Sequence, residues 1–469
     1  MSSETFDAVV IGGGPAGYVC AIRLAQNGMK AALVEKAAIG GTCLNVGCIP
    51  SKALISAGNL VDRIRHAGDM GIKVDGVRVD MGKLVSWKES VVQKLTGGVA
   101  GLLKNHKVTV YAGSARIAGP NTVEVQGEGG TQQLTAKNIV VATGSIPIEI
   151  PGFKFSEDVW SSTEALAPKA RPRRLVVIGG GYIGLELGIM YSKLGSEVTV
   201  VEATPGLLPG QDPELSKVVE KRLKKRGVAM HFEHFAKGYT KNGEELLVAI
   251  ESKSGEKLTI VCDKILSTVG RKPYAEGLGL KEAGVALDAK GFVVVDAQRR
   301  SNVPSIFAIG DIAGQPMLAH KGSKEGLVVA DVVAGKKAAY DVKCIPAVIF
   351  TDPEIASVGL TEEQAKAEGY EPVVGKFPFA ASGRALSLNE TDGFTKVVAD
   401  KKTDLVLGVH MVGPEVTELI AEAALAIEMG ATTEDLALTV HAHPTLPETL
   451  MEAAEAVHMK AVHIFQKPR

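Results

Sequence analysis

The sequence predicts an α/β protein with two Rossmann-like dinucleotide-binding units, followed by a smaller α+β segment. Three observations carry that expectation. A strand, a glycine-rich loop, a helix, a second strand and an acid open the chain. The same order returns from residue 175. From about Pro346 the texture changes to a hairpin pattern and an apolar helix. The length of 469 residues suits roughly three domains of about 150 residues each.

In the first unit, Phe6–Ile11 reads as a short apolar strand that runs into Gly12-Gly13-Gly14-Pro15-Ala16-Gly17. An amphipathic helix to about Asn27 follows, and then a strand, Ala31–Val34, that ends in Glu35. Each glycine has a separate task. Gly12 permits the turn, Gly14 lets backbone approach a pyrophosphate, and Gly17 lets the helix lie close to the sheet. The helix N-terminus offers unpaired N–H groups and a positive dipole end to phosphate. Glu35 stands roughly 20 residues past the loop, placed to accept from ribose hydroxyls.

The second unit repeats this. Leu175–Ile178 is the strand, Gly179-Gly180-Gly181-Tyr182-Ile183-Gly184 the loop, Leu185–Leu194 the helix and Val198–Val201 the next strand, ending in Glu202. Gly179, Gly181 and Gly184 take the three glycine tasks. One such loop is weak evidence, since ordinary turns also use glycine, but two in full context imply two bound dinucleotides. Glu202 favours NAD(H) over NADP(H). A 2′-phosphate would meet a carboxylate there, and Ala203-Thr204-Pro205 supplies no Arg to neutralise it.

Composition narrows the function classes. Hydrophobic residues make up 45% of the chain and charged ones 22%, so large cores are within reach. A net charge of -1 argues against nucleic acid or anionic membrane as main partner. The polar start, Met1 to Asp7, does not read as a signal peptide, and no apolar run approaches the ~18–20 residues that span a bilayer. A cytoplasmic protein is expected, or a mitochondrial matrix one if processed.

Five cysteines are too few for a secreted disulfide framework. Cys20, Cys262 and Cys344 lie in apolar stretches and read as inert core. Cys43 and Cys48 instead sit in Gly40-Gly41-Thr42-Cys43-Leu44-Asn45-Val46-Gly47-Cys48-Ile49-Pro50-Ser51-Lys52. Thr42 is a plausible N-cap for a helix across this stretch. On an ideal helix an i, i+5 pair lies about 8–9 Å apart at Cα and some 140° around the axis. Disulfides usually need less than about 7 Å. If the two bond, the first turns must be distorted, and Gly47 and Pro50 are residues that allow it. A strained loop near a helix N-terminus is readily reduced, as a catalytic disulfide is. A zinc site would need further Cys or His ligands nearby, so no metal is expected.

Two dinucleotide units with GGTCLNVGCIPSK between them resemble the pyridine nucleotide–disulfide oxidoreductases. The resemblance extends along the whole chain, through Ala142-Thr143-Gly144, Ser305–Asp311, Met317–Lys321 and His441-Ala442-His443-Pro444-Thr445-Leu446-Pro447-Glu448. It implies FAD in the first unit and NAD in the second. It also implies a discontinuous FAD-binding domain, 1–147 and 272–345, an NAD-binding domain, 148–271, and a dimerisation domain, 346–469. Pro147, Pro151, the Pro168–Pro172 stretch and Pro273 punctuate the first borders.

The resemblance further implies roles. Cys43 is the interchange thiol that exchanges with substrate sulfur, and Cys48 the thiolate against the flavin. Lys52 lies near flavin N5 and pairs with Glu186. Asp311 binds the ribityl chain, and Ala319 and His320 open a helix whose N-terminus faces the flavin by backbone contact. Thr143, Gly144 and Gly270 belong to the cofactor-binding set. His443 and Glu448 are the catalytic base and its orienting carboxylate, acting on the partner protomer's cysteines, so the active site is shared across a homodimer. His441 reads as structural, His231 and His234 as a strand and its edge, and His458 and His463 as solvent-facing or tail positions. Tyr182 resembles the tyrosine that glutathione reductases hold over the nicotinamide pocket.

The reaction so implied is oxidation of dihydrolipoamide by NAD+, with lipoyl domains of 2-oxo acid dehydrogenase complexes or the glycine cleavage system as partners. A glutathione-type reductase using NADPH is the competing enzyme reading, opposed by Glu202 and by the CLNVGC form of the motif. Mercuric reductase would carry a cysteine pair in the tail, and a soluble transhydrogenase would not need Cys43 and Cys48. A structural flavin-binding component of a large assembly is the non-enzymatic alternative. The full set of cysteine, lysine, histidine and glutamate argues against it.

Overall fold

The computed structural model describes residues 4–467. The chain packs into two compact units. One comprises the chain to Arg171 with Thr268–Asp341, the other Pro172–Ser267 with the chain from Val342 onward.

At the centre of the first unit, strand Glu4–Ile11 pairs in parallel with Ala31–Glu35 on one side and Gly130–Val141 on the other. Thr109–Ala112 extends the sheet beyond Ala31–Glu35, and Ile306–Ala308 pairs in parallel with Gly130–Val141. Both faces are covered, as parallel sheets require. Ala8 and Val10 point into one apolar cluster with Cys20 and Leu24, while Val9 and Ile11 point into another with Ile139 and Val141. This is the two-residue period of a strand. Each fully buried Val or Leu there contributes about 1.5–3 kcal/mol.

Helix Pro15–Gln26 starts with Pro at its first position, where the missing N–H costs nothing. It ends as Gly28 enters the left-handed region at φ +80°. It packs against helix Ala319–Val333. The two approach closely because the facing residues are glycines. A Cβ on Gly322 would stand 3.0 Å from Ala16 Cβ, and one on Gly326 2.7 Å from Ala16 O.

Two short strands of this unit also pair. Ser145–Pro147 pairs antiparallel with Arg271–Pro273, and Ile148 N–H reaches Gly270 O at 3.1 Å.

In the second unit, Ala229–Phe232, Glu197–Glu202, Arg174–Ile178 and Lys264–Ser267 form parallel neighbours. A three-stranded antiparallel sheet, His234–Asn242, Glu245–Ser252 and Lys257–Cys262, follows. His231 and His234 lie on the two strands either side of Glu233. From Ala347 on, five antiparallel strands carry helices Val416–Met429 and Glu448–Val457 over one apolar face. The expected hairpin is Phe394–Asp400 with Val406–Gly413, and the expected apolar helix is Val416–Met429.

An ionic cluster joins the parallel sheet's helices to this last segment. Asp352 takes Lys193 Nζ at 2.8 Å, Arg226 Nη2 at 2.7 Å and Arg222 Nη1 at 3.6 Å. Burial pushes its carboxyl up, but Lys193, Arg222 and Arg226 outweigh burial and hold it below the usual range. No helix among the described residues is long and apolar enough to cross a membrane.

Candidate active site

The two glycine loops build the same local geometry. Gly12 sits at φ +107° and Gly179 at φ +102°, a region that favours glycine. A Cβ on Gly17 would stand 1.8 Å from Gly12 O, so the loop and the helix touch through backbone there. By contrast, a Cβ on Gly181 meets nothing within 4 Å, and one on Gly14 only Gly41 Cα at 3.9 Å. These two positions leave room for a ligand to approach the chain.

Neither following helix, Pro15–Gln26 or Tyr182–Lys193, carries a side-chain cap at its N-terminus, the end at which a helix receives phosphate. The strand-end acids are held alike. Glu35 accepts from Gly13 N–H at 2.6 Å and Ala37 N–H at 2.8 Å. Glu202 accepts from Gly180 N–H at 2.5 Å and Thr204 N–H at 2.7 Å. Each carboxylate retains lone pairs beyond those two bonds. Two open phosphate cradles with anchored acids fit two dinucleotides.

Around the first cradle several further candidates, Thr143, Gly144, Gly270, Asp311 and Ala319, lie in the same unit. Thr143 Oγ1 donates to Tyr274 O at 2.7 Å, and Gly144 follows at φ +73°. Asp311, in the 3-10 turn Gly310–Ala313, accepts from Ser145 Oγ at 2.5 Å. Ser145 in turn accepts from Arg271 Nε at 2.8 Å, and Arg271 Nη2 donates to Ser145 O at 2.6 Å. Gly270 precedes Arg271 at φ +120°. Ala319 opens its helix with Leu318 as an N-cap that offers no side-chain bond.

Beneath the Asp311 turn lies a buried pair. Gly310 N–H donates to Glu325 Oε2 at 2.7 Å, while Lys321 Nζ lies 3.1 Å from Glu325 Oε1 and 3.0 Å from Gly314 O. Sequence reasoning missed Ser145, Arg271, Tyr274 and Glu325. The first three adjoin motif residues and could have been flagged. Glu325 shows locally only the four-residue spacing from Lys321, while the contact that ties it to the Asp311 turn is a backbone amide 15 residues away.

The cysteine stretch is two helices. Gly41–Val46 ends and Cys48–Arg65 begins at Gly47, whose φ of -143° and ψ of -116° break the helical path between the cysteines. Thr42 is therefore no N-cap; Gly40, in the left-handed region, precedes the first helix. A Cβ on Gly47 would stand 2.8 Å from Thr42 O, so the break needs glycine. Pro50 falls within the first turn of the second helix, where proline is tolerated.

Cys43 and Cys48 are both thiols here. The hydrogen bond with Cys48 pushes the Cys43 thiol well above its usual range, burial adds to this, and the Lys52 cation opposes it. Lys52 stands one turn beyond Cys48 on the same helix. Cys20 and Cys262 are buried, whereas Cys344 is only half-buried.

In the other unit, His443 Nδ1 lies 2.8 Å from Glu448 Oε1, and Thr445 N–H donates to Glu448 Oε2 at 2.7 Å. Burial pushes the Glu448 carboxyl up, but the Thr445 amide and His443 hold it below its usual value. His443 exposes 79% of its side chain, so Nε2 is open to a substrate.

His441 faces Glu422 Oε1 at 2.8 Å through Nε2 and Thr439 O at 2.8 Å through Nδ1. Glu186, on helix Tyr182–Lys193, accepts from Phe350 N–H at 2.9 Å. Tyr182 is exposed at that helix's first position. The tail histidines are not merely solvent-facing. His458 Nε2 lies 3.0 Å from Asp404 Oδ1, and His463 pairs with Glu452. No group of three or more potential metal ligands occurs among the described residues.

Comparison with known proteins adds to this geometry. The family described as pyridine nucleotide-disulphide oxidoreductase matches residues 6–326, and its dimerisation domain matches 345–454. The dihydrolipoyl dehydrogenase of Bacillus subtilis is 52% identical over 459 residues, covering 98% of this chain and 97% of that protein. The enzyme of the same name from Thermus scotoductus is 52% identical over 466 residues, covering 99% of this chain and 100% of its own. Among solved structures, LpdA from Mycobacterium tuberculosis superposes with a TM-score of 0.89 at 27% identity, covering 96% of this chain and 99% of that one.

Proposed function

Because the chain belongs to the pyridine nucleotide–disulphide oxidoreductase family, we propose that it oxidises protein-bound dihydrolipoamide to lipoamide, with NAD+ as acceptor. It is a flavin-dependent disulphide oxidoreductase with FAD and NAD as cofactors, and a homodimer. One observation carries the reading of the site. Two cysteines at a helix N-terminus are hydrogen-bonded across a glycine break, beside a lysine.

In this reading residues 1–147 and 272–345 bind FAD, 148–271 bind NAD, and 346–469 form the subunit interface. Leu425, Met429, Leu438 and Val440 are exposed apolar residues in that last segment, and an exposed patch of this kind suits a second copy of the chain. Gly12, Gly14, Gly17, Glu35, Thr143, Gly144, Asp311 and Ala319 serve FAD. Gly179, Gly181, Gly184, Glu186, Glu202 and Gly270 serve NAD. Lys52 places a cation beside the flavin.

His443 of one protomer serves the cysteines of the other. With Nδ1 held by Glu448, Nε2 is the nitrogen free to take a proton from a substrate thiol. The substrate thiolate attacks Cys43 Sγ of the oxidised pair, forming a mixed disulfide and releasing Cys48 as thiolate. The second substrate thiol closes the lipoamide ring and frees Cys43. With FAD bound, the electron pair then held by the two cysteines reaches NAD+ as hydride, and the Cys43–Cys48 bond re-forms. Between turnovers His443 returns its proton to solvent. The physiological dithiol is carried by lipoyl domains of 2-oxo acid dehydrogenase complexes or of the glycine cleavage system.

The test is a substrate comparison: lipoamide-dependent NADH oxidation set against glutathione disulfide and NADPH. Fast turnover of lipoamide with NADH supports the reading. Preference for glutathione disulfide with NADPH rejects it.

A further inference from the structure

Helix Glu448–Val457 carries more negative charge than the proposed base requires. Glu448, Glu452 and Glu455 follow at spacings of four and three, so they share one side of the helix. Glu448 holds His443. One turn on, Glu452 is only 3% exposed. Its Oε1 pairs with His463 Nδ1, brought back from the C-terminal segment, and its Oε2 is enclosed with no hydrogen-bond partner.

The carboxylates that face His463 are Glu452, Glu448 and Glu455. Glu452 first, by hydrogen bond and by charge, and then the other two hold the imidazole above its usual value. Glu448 in turn feels His443 and His441. Burial and the Glu452 charge push Glu455 up, which marks how negative this side of the helix is. His463 is the cation set against it.

We propose that His463 is a positioning residue for the His443–Glu448 pair: its imidazolium neutralises Glu452, leaving Glu448 as the negative charge that sets the basicity of His443. The inference rests on the reading of His443 as the base. The two histidines never need to touch, because the coupling is electrostatic along one helix face.

His443 must be neutral to accept a proton. With His463 uncharged, Glu452 adds negative charge near His443 and favours its protonated form. The acidic limb of activity then moves to higher pH. For charges roughly 8–10 Å apart in a watery setting, the shift is about a third of a pH unit. Raising salt shrinks it.

The experiment measures the pH dependence of kcat/KM for dihydrolipoamide at low ionic strength in the FAD-loaded dimer. The variants are His463→Gln, His463→Lys and the double variant His463→Gln/Glu452→Gln. His463→Gln moves the acidic limb up by about a third of a unit. His463→Lys, which restores the cation, keeps the wild-type limb, and so does the double variant, which removes the uncompensated charge.

A role confined to anchoring the tail predicts otherwise: rate or stability falls in every variant at all pH values, and Glu452→Gln restores nothing. An unmoved limb in His463→Gln at a normal wild-type rate overturns this inference alone. Absence of dihydrolipoamide turnover in the wild type overturns the proposed activity, and this inference with it.

Discussion

Replacing Gly17 by alanine tests the first dinucleotide cradle where it is tightest. The new Cβ would stand 1.8 Å from Gly12 O and 3.0 Å from Gly12 C, with Ala142 Cβ at 3.3 Å. Ordinary contact begins near 3.4 Å, so the loop and the helix must separate by about 1.5 Å. Neither has slack. Gly12 is itself closed against Ala142 O, where a Cβ would stand at 2.4 Å, and the far side of the helix is packed against Gly322 and Gly326. Overpacking a well-packed site costs about 1–3 kcal/mol, and a clash with backbone belongs at the upper end.

If about 3 kcal/mol must be overcome in the FAD-bound form, FAD affinity falls roughly 150-fold. Gly14→Ala is the control, because it meets no protein atom closer than 3.9 Å. It should fold as wild type and lose FAD only through the blocked approach of the pyrophosphate. The assay is flavin content after purification, followed by FAD titration of the apoprotein and thermal melting. A Gly17→Ala protein that retains full flavin and melts with wild type would refute the steric argument.

Further predictions concern other parts of the chain. Asp352→Asn leaves Lys193, Arg222 and Arg226 without their shared carboxylate, and should destabilise its unit by about 3 kcal/mol at neutral pH. The folded carboxyl lies below its unfolded value of about 3.9, so its stabilisation is present above that pH and lost as pH falls through the folded value. The gap between wild type and variant in urea melts should therefore close in acid; a gap independent of pH contradicts the assignment. Glu202→Gln removes the charge opposed to a 2′-phosphate, and should lower the NADH-over-NADPH preference in kcat/KM roughly tenfold. An unchanged ratio places discrimination elsewhere.

What the sequence revealed and concealed follows from the range of each interaction. The glycine loops were legible because each glycine answers a local demand: a left-handed φ at Gly12 and Gly179, a backbone contact at Gly17. The anchoring of Glu35 and Glu202 was not foreseen, since amides of Gly13 and Gly180 hold them as well as the strand end does.

The distortion between the cysteines followed from helix geometry, but its form did not. Gly47 divides the stretch into two helices, and Thr42, read from the sequence as an N-cap, lies inside the first of them. His443 and Glu448 are five residues apart and could be paired on paper. His463 with Glu452, His458 with Asp404, and Asp352 with its three cations depend on chain folded back from afar. No periodicity encodes such partners. Cys344, expected in a core, is half-buried: it packs against the apolar cluster of the C-terminal segment, with its thiol toward Ala424 O.

The most direct test of the account is an anaerobic titration of the FAD-loaded protein with dihydrolipoamide, followed at the visible flavin band, in wild type and in Cys43→Ser. Electrons that enter through the thiols should reduce the wild-type flavin and leave that of Cys43→Ser oxidised, while NADH reduces both. Reduction of the Cys43→Ser flavin by dihydrolipoamide at the wild-type rate would contradict it.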